Sequence, residues 1–110
     1  MRKDRTVYSV FNEVAETLYS SLAGAIVDLG RYEESKSAPN QDTLKYYNQI
    51  CKALWSEKYD FYKFSDAEIK STADKLSPIL KAIKGDKQQD QLVIEKNREY
   101  FDYLIKKTAV

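Results

Sequence analysis

Apolar residues recur at helical spacing along the first third of the chain. The steps between them are three or four residues, which places them on one face of a helix. They are Val7, Phe11, Val14, Leu18, Leu22, Ala25, Leu29 and Tyr32. Asp4 precedes this stripe as a candidate N-cap, and Gly30 is a point where the helix either ends or continues. The pattern predicts one long amphipathic helix.

Three further stripes of the same spacing follow, each separated from the last by polar residues. The second contains Leu44, Tyr47, Ile50 or Cys51, Leu54, Lys58, and Phe61 or Tyr62. The third contains Ile69, Ala73, Leu76, Leu80 and Ile83. The fourth contains Val93, Asn97, Tyr100 and Leu104. The absence of alternating β-branched runs and of hairpin dipeptides argues against strands.

Residues typical of helix ends lie between the stripes. Asn40 or Asp42 is placed to cap the second helix. Ser65 followed by Glu68 matches a capping box, which satisfies two backbone N–H groups at a helix start. Gly85 is placed to end the third helix, and Asp86 with Gln89 offers a second capping box to begin the fourth.

Pro78 interrupts the third stripe and removes one helical hydrogen bond. Because the apolar spacing continues through it, we expect a kink within one helix rather than two helices. Four such segments predict an all-α fold, an antiparallel bundle of about four helices formed by residues 1–110 as a single domain. The leucines expected in its core are Leu18, Leu22, Leu54, Leu76, Leu80 and Leu104.

Composition narrows the classes of protein to which the chain can belong. The 110 residues carry 18 basic and 17 acidic side chains, a net charge of +1. A general nucleic-acid binder usually has a basic excess, so this balance weighs against that class. A single cysteine favours a reducing compartment, and no apolar run is long enough to span a membrane. We therefore expect a cytoplasmic protein.

Side chains that commonly carry catalysis or bind metals are scarce. The chain has no histidine, which removes the commonest general base and zinc ligand. Cys51 falls on an apolar face without an activating neighbour, so an inert buried thiol is expected. Glu13 and Glu16 fall on the polar side of the first stripe, typical of solvated surface. We expect no catalytic residue, metal or cofactor, and hence no enzyme.

Small residues cluster within the first helix. They are Ser20, Ser21, Gly24 and Ala25, spaced so that another helix could approach closely. Glycine inside a helix is unfavourable, so Gly24 calls for a compensating role. Packing within the same bundle is the favoured explanation, and a subunit interface in a homodimer is the alternative.

Aromatic residues are dense between Lys52 and Asp66. Leu54 and Phe61 continue the second stripe, which leaves Trp55, Tyr59 and Tyr62 at its edge and partly exposed. We expect Tyr46 to extend this edge strip, part of which the connection 31–40 would cover. Aromatic side chains with a polar tip are enriched where proteins bind one another, and they also stack on nucleotide bases.

Four lysines in the same segment are candidate phosphate contacts. They are Lys45, Lys52, Lys58 and Lys63, and three acidic residues, Asp42, Glu57 and Asp60, share the segment. Charge so nearly balanced makes a weak track for a nucleic-acid backbone. Another protein is therefore the favoured partner, and nucleic acid is the alternative.

The overall plan of about a hundred lysine- and tyrosine-rich residues in antiparallel helices resembles the small cytoplasmic immunity proteins of bacteriocin producers. Inhibitors of phage or plasmid origin share this plan. The resemblance covers size and layout, and it implies a non-enzymatic module that acts by occupying a partner's surface. The alternatives are a nucleic-acid-associated helical protein of viral or plasmid type and a homodimerising accessory subunit.

Overall fold

The computed structural model describes the backbone of residues 2–109 and the side chains of residues 13–61 and 63–109. Within these bounds it contains five α-helices, one short 3-10 helix and no strand. The elements are α1 (Arg2–Glu34), α2 (Gln41–Asp60), the 3-10 helix (Phe61–Lys63), α3 (Asp66–Ala82), α4 (Lys87–Lys96) and α5 (Arg98–Thr108). The all-α prediction is confirmed, and the number of helices is five rather than about four.

The first two helices pack against each other in opposite directions. At one end of the pair, Tyr19 of α1 donates a hydrogen bond to Glu57 of α2. At the other end, Glu33 accepts a hydrogen bond from the backbone N–H of Asn40, at the start of α2. Helix α1 packs against α3 as well, and therefore lies at the centre of the fold.

Helix α5 packs along α2. Tyr46, early in α2, donates a hydrogen bond to Asp102. Glu57, late in α2, is paired with Lys107 further along α5. The order of these contacts shows that α2 and α5 run in the same direction, each opposite to α1.

The predicted capping residues stand at three helix starts. Asn40 caps α2, because its side-chain oxygen accepts a hydrogen bond of 3.1 Å from the Thr43 N–H. Ser65 and Glu68 form the predicted capping box of α3, with hydrogen bonds of 3.2 and 3.1 Å. Asp86 caps α4. These capping side chains determine where the helices begin, because each accepts a hydrogen bond from a backbone N–H group that has no partner within the helix.

The turn between α3 and α4 is closed by a buried carboxylate. Gly85 has a φ of +95°, a conformation that L side chains rarely adopt. Asp90 accepts hydrogen bonds from the backbone N–H groups of Lys84 and Gly85, both at 3.0 Å. Helix α3 ends at Ala82, three residues before the predicted stop at Gly85, which lies in the turn that Asp90 holds in place.

Helix α1 departs from its predicted pattern in three places. It begins at Arg2, so Asp4 lies inside the helix and is not its N-cap. It continues through Gly30. Val14 is exposed although the stripe included it, because the buried face is centred on the neighbouring row. That row consists of Ala15, Tyr19, Leu22, Ala23, Ile26 and Leu29. The predicted positions Val7 and Phe11 lie outside the described side chains.

The fourth predicted segment is two helices that meet at Asn97. The Asn97 side chain donates a hydrogen bond of 2.8 Å to the carbonyl of Val93, and its backbone leaves the helical conformation. Asparagine competes in this way for backbone groups and so interrupts helices. Helix α3, in contrast, continues through Pro78 as one helix. The kink at Pro78 remains a prediction.

One hydrophobic cluster joins all five helices. Of the leucines predicted to be buried, Leu22, Leu54, Leu76 and Leu104 are buried. Leu18 and Leu80 are only partly buried. The core reaches α4 through Ile94 and α5 through Phe101.

Candidate functional site

The outer face of α2 carries two exposed aromatic side chains. Trp55 is 41% exposed and Tyr59 is 76% exposed, one helical turn apart. Leu54 and Phe61 point to the core, as predicted. The predicted exposed edge is therefore confirmed for Trp55 and Tyr59, while the side chain of Tyr62 lies outside those described.

Tyr46 does not extend this edge. It is 9% exposed, its hydroxyl donates a hydrogen bond of 2.9 Å to Asp102, and the Arg98 guanidinium lies 4.1 Å from its ring centroid. Burial, and then the hydrogen bond to Asp102, raise the pKa of Tyr46. Tyr46 precedes Trp55 by nine residues, about two and a half turns of a helix, and the odd half turn places it on the opposite side. Tyr46 is covered by α5, not by the connection 31–40.

Lys58 connects the aromatic residues of α2 with the small residues of α1. Its ammonium lies 4.6 Å from the centroid of the Trp55 ring and donates a hydrogen bond of 3.0 Å to Ser20 Oγ. Two features that the sequence presents separately thus lie on the same face. We call Ser20, Gly24, Trp55, Lys58 and Tyr59 the α1–α2 face.

Gly24 faces open space. A Cβ atom added at Gly24 would meet no neighbouring atom within 4 Å. Ser21 is also exposed, whereas Ser20 and Ala25 are partly buried. The expectation that another helix of the same bundle packs closely against Gly24 is therefore wrong.

The four lysines of the segment differ in their surroundings. Lys45 and Lys52 are exposed on α2, and Lys63 lies 3.7 Å from the Asp60 carboxylate. Lys58 is held by Ser20, as described. The acidic residue Glu57 is buried, so at the surface these four lysines are balanced by only Asp42 and Asp60.

Glu57 occupies a site that the sequence analysis missed. It is 3% exposed, and its Oε1 accepts a hydrogen bond of 3.0 Å from the Tyr19 hydroxyl. The Lys107 ammonium lies 3.1 Å from Oε2, but its orientation makes no hydrogen bond, so Oε2 is buried without one. Burial, and then the adjacent Glu57 carboxylate, raise the pKa of Tyr19. The spacing of Glu57 from Leu54 and Phe61 was the available signal, since all three fall on one stripe.

Glu57 lies at a cleft between α3 and the α4–α5 pair. The cleft has a volume of about 710 Å³, and Glu57 is the one buried residue among the described residues that line it. Its walls carry aromatic rings, hydroxyl groups and charged side chains. The principal ones are Phe64, Tyr100, Tyr103, Ser71, Thr72, Lys75, Lys96, Lys107, Glu68 and Glu99. Burial, and then Glu57, raise the pKa of Tyr100, which therefore remains a neutral phenol.

A third buried carboxylate, Glu33, joins α1 to the following connection and to α4. It accepts hydrogen bonds of 2.9 Å from the Asn40 N–H, from Lys36 and from the Gln91 side chain. These donors, led by the Asn40 N–H, lower the pKa of Glu33 to about 2. All its partners belong to the protein itself, so this cluster is structural.

Cys51 is partly buried, and its Sγ lies 3.7 Å from the carbonyl oxygen of Ala23. Burial raises the pKa of this thiol, which keeps it protonated and unreactive at neutral pH.

Comparisons of the chain with protein-family models, with characterised proteins and with solved structures find no match. Within residues 2–109, no helix combines the length and apolar character needed to cross a bilayer.

Proposed function

We propose that this protein is a non-enzymatic binding module that occupies the surface of a partner protein through the α1–α2 face. The observation that carries the proposal is the exposure of Trp55 and Tyr59 beside the open surface at Gly24. Exposed tryptophan is costly to leave in water, and tryptophan and tyrosine are the residues most enriched at the energetic centres of interfaces.

The surroundings of these aromatic residues indicate the chemistry of the partner. Lys45 and Lys52 are exposed on the same helix, and their spacing of about two turns places them on one side of it. A complementary partner offers an apolar pocket for Trp55 bordered by acidic side chains, because charge complementarity guides association. At Gly24 the absence of a side chain lets a partner's backbone approach closely.

A nucleic-acid partner is the alternative that the lysines favour. Base stacking needs aromatic rings beside a cationic track that follows the phosphates. Here Lys58 is engaged by Ser20 and Trp55, and Lys63 lies beside Asp60, which leaves Lys45 and Lys52 as the principal candidates for that track. A second copy of the chain is a further alternative, for which Gly24 is the candidate contact.

The test begins with affinity capture from the native host, with and without nuclease. Wild-type protein is compared with Trp55→Ala, Tyr59→Ala and the control Leu92→Ala, which truncates an exposed leucine on α4. We expect one identified protein to be retained by the wild type and by Leu92→Ala after nuclease treatment, and lost with both aromatic variants. Circular dichroism checks that every variant keeps its helical content.

A titration with the purified partner then measures the affinity directly. Truncating a dominant interface aromatic residue costs about 2 kcal/mol or more, which corresponds to roughly thirtyfold weaker binding. Loss of capture with nuclease, together with steep salt dependence, would favour the nucleic-acid alternative. Concentration-dependent dimerisation that Gly24→Leu abolishes would favour the homodimer.

A further inference from the structure

We propose that the cleft at Glu57 binds a ligand through a cationic N–H donor, a primary ammonium or a guanidinium, that takes the place of Lys107 at Oε2 of Glu57. This site lies on α2, α3, α4 and α5 and is distinct from the α1–α2 face. It is therefore independent of the proposed protein-binding function.

The buried carboxylate provides the reason for a ligand. Glu57 Oε2 is buried and accepts no hydrogen bond, although Oε1 of the same group is bonded to Tyr19. Oε2 is instead ion-paired with the Lys107 ammonium at 3.1 Å, in an orientation that forms no well-aligned hydrogen bond. Such a contact satisfies a buried acceptor less well than an aligned hydrogen bond does. A ligand that donates an N–H to Oε2 restores that hydrogen bond.

Lys107 forms an ion pair with Glu57, and the ammonium of a ligand could take its place. Its ammonium lies 3.1 Å from Oε2, yet the side chain is 39% exposed and belongs to the last turn of α5. The same ammonium lies 4.9 Å from the centroid of the Phe64 ring. A long side chain anchored at a helix end can withdraw toward solvent, so an incoming cation with better geometry displaces it.

The walls of the cleft indicate the rest of the ligand. The rings of Tyr100 and Tyr103 lie 6.3 Å apart, and both line the cleft, where they suit a flat apolar body or a cation. The exposed rim carries Lys75 and Lys96 together with Glu68 and Glu99, so it offers charges of both signs to the far end of the ligand, and the two lysines can receive an anionic group there. The expected class is therefore a compact zwitterion, with a cationic N–H donor at one end and an acidic group at the other.

Two sources can supply this chemistry: a small molecule, or adjacent basic and acidic residues of a protein. A suitable small-molecule probe is 4-(aminomethyl)benzoate, which joins an ammonium to a carboxylate through a flat ring. Benzylammonium lacks the carboxylate of this probe, and 4-methylbenzoate lacks its ammonium. Comparing the two compounds shows how much each charged group contributes to binding. A capped arginine–aspartate dipeptide represents the protein source.

The experiment measures the affinity of each probe by calorimetry with the full chain. Wild-type protein is compared with Glu57→Gln, Lys107→Met and the control Lys45→Met, which removes a lysine from α2 outside the cleft. We expect binding by 4-(aminomethyl)benzoate to weaken about tenfold or more in Glu57→Gln, because a hydrogen bond to a charged group is lost. In Lys107→Met we expect binding about tenfold tighter, because the internal competitor is gone. Lys45→Met should bind as the wild type does.

Opposite shifts in the two variants separate a binding site from a purely structural ion pair. Lys107→Met keeps the proposal testable if Glu57→Gln fails to fold. Stronger binding of the dipeptide than of 4-(aminomethyl)benzoate assigns the site to a protein side chain, and the reverse order assigns it to a small molecule. Absence of saturable binding in both the wild type and Lys107→Met would overturn the proposal, as would equal affinity of 4-(aminomethyl)benzoate and 4-methylbenzoate.

Discussion

The ammonium of Lys58 lies 4.6 Å from the centroid of the Trp55 ring. A hydrogen bond from the same ammonium to Ser20 Oγ fixes the lysine in this position. A cation held over an indole ring favours one orientation of the ring, and Trp55 is still 41% exposed. Trp55 is the only tryptophan in the chain, so its fluorescence reports on this contact alone.

We predict that Lys58→Met lowers the quenching of Trp55 fluorescence by iodide roughly twofold, because a positive charge close to the ring concentrates the anion there. Quenching by neutral acrylamide should change much less. Lys52→Met serves as the matched control, since it removes a lysine from the same helix. Equal changes in iodide and acrylamide quenching would contradict the arrangement of Lys58 and Trp55.

Two glycine substitutions should change stability in opposite directions. Gly24→Ala is expected to stabilise the protein by about 0.5–1 kcal/mol, because alanine favours a helix and its Cβ meets no atom. Gly85→Ala should destabilise it by about 1–2 kcal/mol, because the φ of +95° strains any L residue. Urea denaturation followed by circular dichroism measures both. Destabilisation by Gly24→Ala would show that the face around Gly24 is already occupied.

Glu33 should make the protein sensitive to acid. Its pKa is about 2 in the folded state, below the ordinary value of 4.5. Because the folded value is lowered, the stabilisation is fully present above pH 4.5 and is lost as the pH falls toward 2. Glu33→Gln should cost about 1–3 kcal/mol at pH 7, since three donors lose a charged acceptor, and much less near pH 2. Denaturation midpoints at pH 7, 5, 3 and 2 test this. Glu34→Gln, which alters an exposed neighbour, is the control.

The start of α3 depends on Ser65. We expect Ser65→Ala to lower the free energy of unfolding by about 0.5–2 kcal/mol, because the N–H of Glu68 loses its acceptor. Ser71→Ala, at an exposed position inside the same helix, should have little effect or a slightly stabilising one. A larger loss in Ser71→Ala than in Ser65→Ala would place the helix start elsewhere.

The helices and their caps could be predicted from the sequence because they depend on local spacing and on hydrogen bonds between near neighbours. Ser65 and Glu68 are three residues apart, so nothing distant is needed to recognise their capping box. The exposure of Trp55 and Tyr59 also followed from helix geometry. The same geometry, applied strictly to Tyr46, places that residue on the side of α2 opposite Trp55. Here the sequence held the information.

The buried carboxylates were beyond this kind of inference. Glu33 and Glu57 occupy positions on apolar stripes, but a charged residue there is usually at the surface unless partners offset its burial. The partners of Glu57 are Tyr19 and Lys107, which are separated from it by 38 and 50 residues. Only the folded arrangement brings them together. The break at Asn97 was similarly hidden, because an asparagine continues a helix or ends it according to the bond that its side chain makes.

That break at Asn97 divides the last part of the bundle into helices of 10 and 11 residues. Isolated helices shorter than about 12–15 residues are marginal in water, so neither α4 nor α5 persists once it leaves the other helices. Helix α1 spans 33 residues and α2 spans 20. The two helices are consecutive in the chain and pack against each other along their length. In native-state hydrogen exchange, the amides of α4 and α5 should therefore exchange as one unit, at a lower opening free energy than those in the middle of α1 and α2. The cleft at Glu57 has α4 and α5 as one of its walls, and it would open and close with that unit.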